Sequence, residues 1–243
     1  DLLIIHCDGI DQQYIVALNA ETGSRAWRTK RSGTPHQDIQ MRKSYATSLI
    51  VDVNGKPQIV SPAADWVYGY DPRSGRELWK LPYGKLGFSN AARPIAGHGL
   101  IYVCTGYMKS ELLAIRVDGD RNTVRPRIEW RFTRGVPNVS SPLLVGDAIY
   151  FASDNGIATC IDARTGTVHW SERIGKRFWA SPLYADGRIY FFDYDGVTTV
   201  IEPGTAFHKL AVNRLDGTLL TSAAVVDGSL LLRTDRALYC LRP

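Results

Sequence analysis

The side chains of this 243-residue chain that could do chemistry on a ligand are few, and their spacing limits what that chemistry can be. His6-Cys7-Asp8 sets three metal-donor types side by side, but neighbouring strand residues face opposite ways and cannot meet on one ion. Asp118-Gly119-Asp120-Arg121-Asn122 has the first acidic or amide positions of a calcium loop without its glycine or late glutamate, and reads as a polar hairpin tip. His36, His98, His169 and His208 lie in separate stretches. No phosphate-cradling G-x-x-x-x-G-K-[ST], no G-x-S-x-G turn and no H-E-x-x-H helix occurs. Cys7, Cys104, Cys160 and Cys240 stand singly in apolar stretches, as buried small hydrophobes rather than ligand pairs. What remains is recognition. Trp179, preceded by Arg177, leads into Ala180-Ser181-Pro182; Tyr45, Asn90 and Asn138 head corresponding stretches, with Arg42, Lys43 and Arg93 close by. Rings and donors of that kind around a concavity suit a small anionic ligand, a peptide or an acidic loop of a protein partner.

The elements that must position them are set by a recurring strand, turn and strand. Cys160-Ile161-Asp162-Ala163-Arg164-Thr165-Gly166 runs on to Trp170, Ala17-Leu18-Asn19-Ala20-Glu21-Thr22-Gly23 to Trp27, and Tyr70-Asp71-Pro72-Arg73-Ser74-Gly75 to Trp79. The short polar side chains bond backbone groups in the turn, and the glycine closes it at positive φ. Degenerate copies end at Trp130 and, with leucine in place of tryptophan, at Leu210, so the anchors are 52, 51, 40 and 40 residues apart. That period, built of strands alone, predicts an all-β fold, a β-propeller of four-stranded antiparallel blades. The fixed place of Trp27, Trp79, Trp130 and Trp170 after the turn makes them packing residues between blades, whereas Trp66 and Trp179 fall outside it.

In chain order the first repeat has strands at 2–7, 14–19 and 25–30 and lacks an innermost strand. The second has strands at 45–53, 58–61, 66–70 and 76–81, with Asn54-Gly55 as a hairpin turn. The third runs over 90–133, with a turn at Gly97-His98-Gly99 and an excursion over 117–125. The fourth and fifth align through Ser141-Pro142 and Ser181-Pro182, and the sixth, over 221–241, lacks an outermost strand. The reading is 22 strands in six repeats, one propeller domain over 1–243 that is unfinished at both ends.

Composition is that of an ordinary globular chain, 44% hydrophobic and 22% charged, with no apolar run long enough for a membrane helix and no signal peptide within it. The net charge of +5 raises the question of nucleic acid, but Arg25, Arg28, Lys30 and Arg31, and likewise Arg121, Arg125, Arg127, Arg131 and Arg134, fall in or beside outer strands without interleaved aromatics, as a wet rim. Nucleic acid is not an expected partner.

The A-x-D-x-x-T-G-x-x-x-W pattern resembles the tryptophan-docking motif of the PQQ-like, quinoprotein-type β-propeller repeats, over essentially the whole chain. The wording of Asp11-Gln12-Gln13-Tyr14, of Glu111-Leu112-Leu113-Ala114-Ile115-Arg116 and of residues 181–192 is similar to bacterial repeat proteins of the planctomycete type. The resemblance implies a ring of about eight blades, with a closing strand and further blades preceding Asp1, the alternative being a six-bladed ring closed imperfectly by these 243 residues alone; it also implies a periplasmic or otherwise extracytoplasmic place. It implies one of two functions. A non-catalytic scaffold would offer its funnel face to a partner, as the propellers of outer-membrane assembly do. A quinone-dependent dehydrogenase would hold the quinone PQQ over a tryptophan floor, which Trp179 could supply, with calcium on Glu and Asn and an Asp as base. Adjacent cysteines and an acidic cluster at the strand mouths are missing, so a scaffold with no cofactor is the expectation.

Overall fold

The computed structural model describes residues 1–84, 87–119 and 124–242. Apart from a 3₁₀ turn at Ile39–Arg42, its regular structure is all strand. The chain divides into two compact units, Asp1–Thr133 and Arg134–Pro243.

In the first unit, β1 (Leu2–Asp8), β2 (Gln13–Asn19) and β3 (Arg25–Lys30) form a three-stranded antiparallel meander. β4 (Leu49–Val53), β5 (Lys56–Ala63), β6 (Trp66–Tyr70) and β7 (Glu77–Pro82) form a four-stranded one. A two-stranded ribbon pairs β8 (Gly87–Phe88) with β11 (Tyr107–Met108), and a second four-stranded sheet runs β9 (Ile95–Gly97), β10 (Leu100–Cys104), β12 (Leu112–Gly119) and β13 (Val124–Phe132). In the second unit, β14 (Leu143–Val145), β15 (Ala148–Ala152), β16 (Ile157–Asp162) and β17 (Val168–Arg173) are followed by β18 (Leu183–Ala185), β19 (Arg188–Phe192), β20 (Val197–Glu202) and β21 (His208–Arg214). β22 (Ala224–Val226), β23 (Ser229–Arg233) and β24 (Leu238–Leu241) complete it as a three-stranded sheet.

The two strands beyond the expected 22 are the β8–β11 ribbon. The innermost strands are shorter than expected: β4 starts at Leu49 rather than Tyr45, and β18 at Leu183 rather than Ala180. The described ends of the excursion over 117–125 are paired strand, Val117, Asp118 and Gly119 against Pro126, Arg125 and Val124, and the centre of the calcium-like stretch lies outside the described residues. Cys104 and Cys160 are buried and Cys7 half-buried, but Cys240 is exposed rather than buried as expected.

The hairpins follow from local chemistry. Asp162 Oδ1 accepts from the Arg164 and Thr165 amides at 3.0 and 2.8 Å and from Thr165 Oγ1 at 2.8 Å. Asp71 does the same with Arg73 and Ser74, and these bonds to Ser74 hold its carboxyl below the usual range. Gly75, at φ +71°, closes that turn.

In five sheets the outer strand pair carries a bulge, between Ala17 and Leu18, Gly69 and Tyr70, Ala114 and Ile115, Cys160 and Ile161, and Val200 and Ile201. In four of these sheets the residue ahead of the bulge is small and a tryptophan stands opposite it: Trp27 across from Ala17, Trp79 from Gly69, Trp130 from Ala114, Trp170 from Cys160. In the fifth sheet the partner of Val200 is Ala211, not the expected Leu210. Leu210 is the extra residue of the bulge, because the β20–β21 hairpin is one residue longer than the β16–β17 hairpin; it is exposed, like every residue of β21.

The indoles reach forward. Trp27 Nε1 donates to the Pro72 carbonyl at 3.2 Å, and Trp170 Nε1 to the Gly204 carbonyl at 3.1 Å, each in the turn of the following sheet. Trp79 instead donates to Gln58 Oε1 at 2.7 Å, because the next hairpin continues as paired strands where a short turn would offer its carbonyl. The apolar cores sit between successive sheets. Trp79 packs with Val60 and Val67 of its own sheet and with Val103, Leu113 and Ile115 of the next; Trp170 packs with Tyr150, Ile189 and Phe191.

Candidate functional site

The segment leading into each innermost strand has a regular inside and outside. Five residues ahead of the strand stand Ser44, Asn90, Asn138, Phe178 and Leu219, buried apart from the half-buried Asn138. Four residues ahead stand Tyr45, Ala91, Val139, Trp179 and Leu220. Tyr45 is 61% exposed, Val139 43%, Trp179 39% and Leu220 46%, a set of large apolar groups that folding leaves in water.

In the second unit three of these segments are tied side by side. The Ser141 amide donates to Ser181 Oγ and the Ser181 amide to Ser222 Oγ, both at 2.9 Å. Each serine lies two residues after its exposed apolar residue, so the ladder sets Val139, Trp179 and Leu220 in a row.

Trp179 has company. Its ring meets Tyr194 edge to face at 5.6 Å, and the Arg177 guanidinium lies 3.5 Å from the Tyr194 ring centre and 5.4 Å from that of Trp179. The loop holding Arg177 is fixed by buried Asp193, whose Oδ2 accepts the Lys176 and Arg177 amides at 2.6 and 3.2 Å, and by the Tyr194 amide donating to the Arg177 carbonyl at 2.8 Å. Tyr194 and Asp193 escaped the sequence reading. Aligning Asp154-Asn155-Gly156 with Tyr194-Asp195-Gly196 would have exposed an aromatic ring standing where the sister repeat has an acid.

The other expected site residues are placed differently. Asn90 is fully buried, its Nδ2 donating to the Tyr83 hydroxyl at 3.1 Å, so it has no surface to offer a ligand. Asn138 occupies the inward slot that Phe178 and Leu219 fill elsewhere, with its amide nitrogens turned to Asp154. Both asparagines are one residue out of step with Trp179 and Tyr45. Tyr45 is joined to Asn90 only by its amide, which donates to the Asn90 carbonyl at 2.7 Å. Arg42 donates to the carbonyls of His36 at 2.7 Å and of Ile10 and Gln37 at 3.4 Å; Lys43 donates to Gln40 Oε1 at 2.9 Å; Arg93 is exposed. Arg31, read as part of a wet rim, is buried instead.

The donor set does not suit calcium and a quinone. Asp193, which holds the loop leading to Trp179, is spent on backbone amides, and among the described residues no three His, Cys, Asp or Glu side chains gather as metal ligands. What the row offers is a rigid apolar and aromatic surface with one guanidinium.

The family described as outer membrane protein assembly factor BamB matches residues 7–160 and 127–225. BamB of Shewanella oneidensis is 24% identical over 173 residues, which are 68% of this chain and 40% of that protein, so the chain spans well under half of this curated relative. Among solved structures, BamB from Moraxella catarrhalis superposes with a TM-score of 0.62 at 15% identity, over 99% of this chain and 81% of that one. Saccharomyces cerevisiae Sqt1 gives 0.71 at 9% identity over 99% and 69%, and a europium-containing methanol dehydrogenase gives 0.58 at 13% over 88% and 49%. At such identities the likeness is one of fold, the β-propeller of four-stranded antiparallel blades.

Proposed function

The chain belongs to the family of the outer membrane protein assembly factor BamB, and from that premise we propose that it is a non-catalytic propeller that binds protein, outside the cytoplasm, in outer membrane protein assembly. The observation that carries this reading is the row of Val139, Trp179 and Leu220, left exposed at equivalent places and held by the serine ladder. Aromatic and arginine anchors in a preorganised surface are what a protein interface concentrates its energy on. No cofactor is needed for this reading.

The test is pull-down from solubilised cell envelope with the purified protein, partners identified by mass, against Trp179→Ala and the triple change Val139→Ser, Trp179→Ser, Leu220→Ser. Partners concerned with outer membrane protein assembly are expected, captured by the native chain and lost with Trp179→Ala at a nearly unmoved melting temperature. Undiminished capture by the triple variant overturns the site. A large fall in melting temperature with Trp179→Ala makes it a packing residue, and partners from an unrelated process overturn the proposed role.

A further inference from the structure

A second surface lies in the first unit, between the ends of β2 and β3 and the segment 32–36, and its character is electrostatic. It is an open groove of about 680 Å³. Its floor is Arg31, whose charge is already answered by Asp8 at 2.7 and 3.0 Å. Its walls carry three further cations, Arg28, Lys30 and Arg42, and one carboxylate, Asp11, which accepts the Gln12 amide at 3.0 Å.

Two of these cations are fixed in place without being neutralised. Arg42 is held by three backbone carbonyls, those of His36, Ile10 and Gln37. Arg28 lies 3.9 Å from the centre of the Tyr14 ring and donates to Gln12 Oε1 at 2.8 Å. Carbonyls, an amide oxygen and a ring face orient a guanidinium but leave its full charge, so an incoming anion meets donors whose side-chain entropy is already lost. The groove has more than twenty times one water's share of liquid volume, about 30 Å³, so it is large enough for a stretch of chain rather than a lone ion.

The geometry points to this groove as the binding site for a short, extended, carboxylate-rich segment of a protein partner. Carboxylates rather than nucleic acid fit because none of the described residues that line the groove is aromatic, and bases bind where rings can stack on them. The surface is distinct from the apolar row around Trp179, and its test separates the two.

The experiment is fluorescence anisotropy of a labelled octaglutamate peptide at low salt, with an octaglutamine peptide and a single-stranded oligonucleotide of equal charge as the other arms. Octaglutamate is expected to bind, octaglutamine not, and added salt to weaken the binding. Lys30→Glu, at an exposed position, should lower affinity at least tenfold, and Arg28→Gln with Lys30→Gln should abolish binding. Lys209→Glu changes net charge equally but lies in β21, and should leave affinity within twofold, as should Trp179→Ala. Absence of octaglutamate binding, an equal loss with Lys209→Glu, or tighter binding of the oligonucleotide overturns the proposal.

Discussion

The Arg31 guanidinium is gripped by both oxygens of Asp8 and also donates to Ser61 Oγ at 2.8 Å and the Tyr70 hydroxyl at 3.2 Å. Burial works against its charge, and Asp8 more than offsets this, so its pKa stands above the ordinary arginine value. A pair this deep costs most when one member goes. Asp8→Ala is expected to destabilise the chain by about 3–5 kcal/mol in urea denaturation, while Asp8→Leu combined with Arg31→Met recovers most of that loss. A loss below about 1 kcal/mol for the single change would mean water reaches the guanidinium. Neither residue's role was legible beforehand. Asp8 stood beside His6 and Cys7 as a metal donor and Arg31 within a run of exposed cations; only the fold, bringing sequence neighbours of neither together, pairs them.

Between strands, the indole and the small residue across from it act as one fitting. A Cβ on Gly69 would lie 2.1 Å from Trp79 Cε2 and Nε1, inside the ring, and the same indole bonds buried Gln58. Gly69→Ala should therefore cost about 1–3 kcal/mol by overpacking and shift the tryptophan emission. Gly204→Ala, whose added carbon meets nothing nearer than 3.8 Å, should stay within about 0.5 kcal/mol although Trp170 bonds the carbonyl of that residue. Equal losses at the two sites in thermal melts would refute the steric account. The turns were readable because their chemistry is local: an Asp or Asn, a hydroxyl residue and a glycine at fixed offsets. Leu210 was misread because counting from the turn assumes equal hairpins, and one added residue moves the register. The inward asparagines were misread likewise, by residue type where inside-outside alternation decides.

For the molecule as a whole, the repeat period was enough to announce strands gathered into successive antiparallel sheets, since it reflects a unit that cannot bury its faces alone. The outward row was only partly visible: Trp179 drew attention by its type, but Val139 and Leu220 are ordinary residues until the serine ladder sets them beside it. Adding calcium and pyrroloquinoline quinone to the purified protein is expected to leave its absorption spectrum and melting temperature unchanged; a shift in either would reinstate the dehydrogenase reading.

The bulges beside β3, β7, β13, β17 and β21 have a last consequence. Each of these strands ends its sheet, so its outer backbone groups could template a neighbour. A bulge bends and twists such an edge locally, and a strand so contorted is a poor seed for the flat stacking from which fibrils grow. The irregularity that makes room for an indole thus also guards a chain rich in strands against clumping with copies of itself.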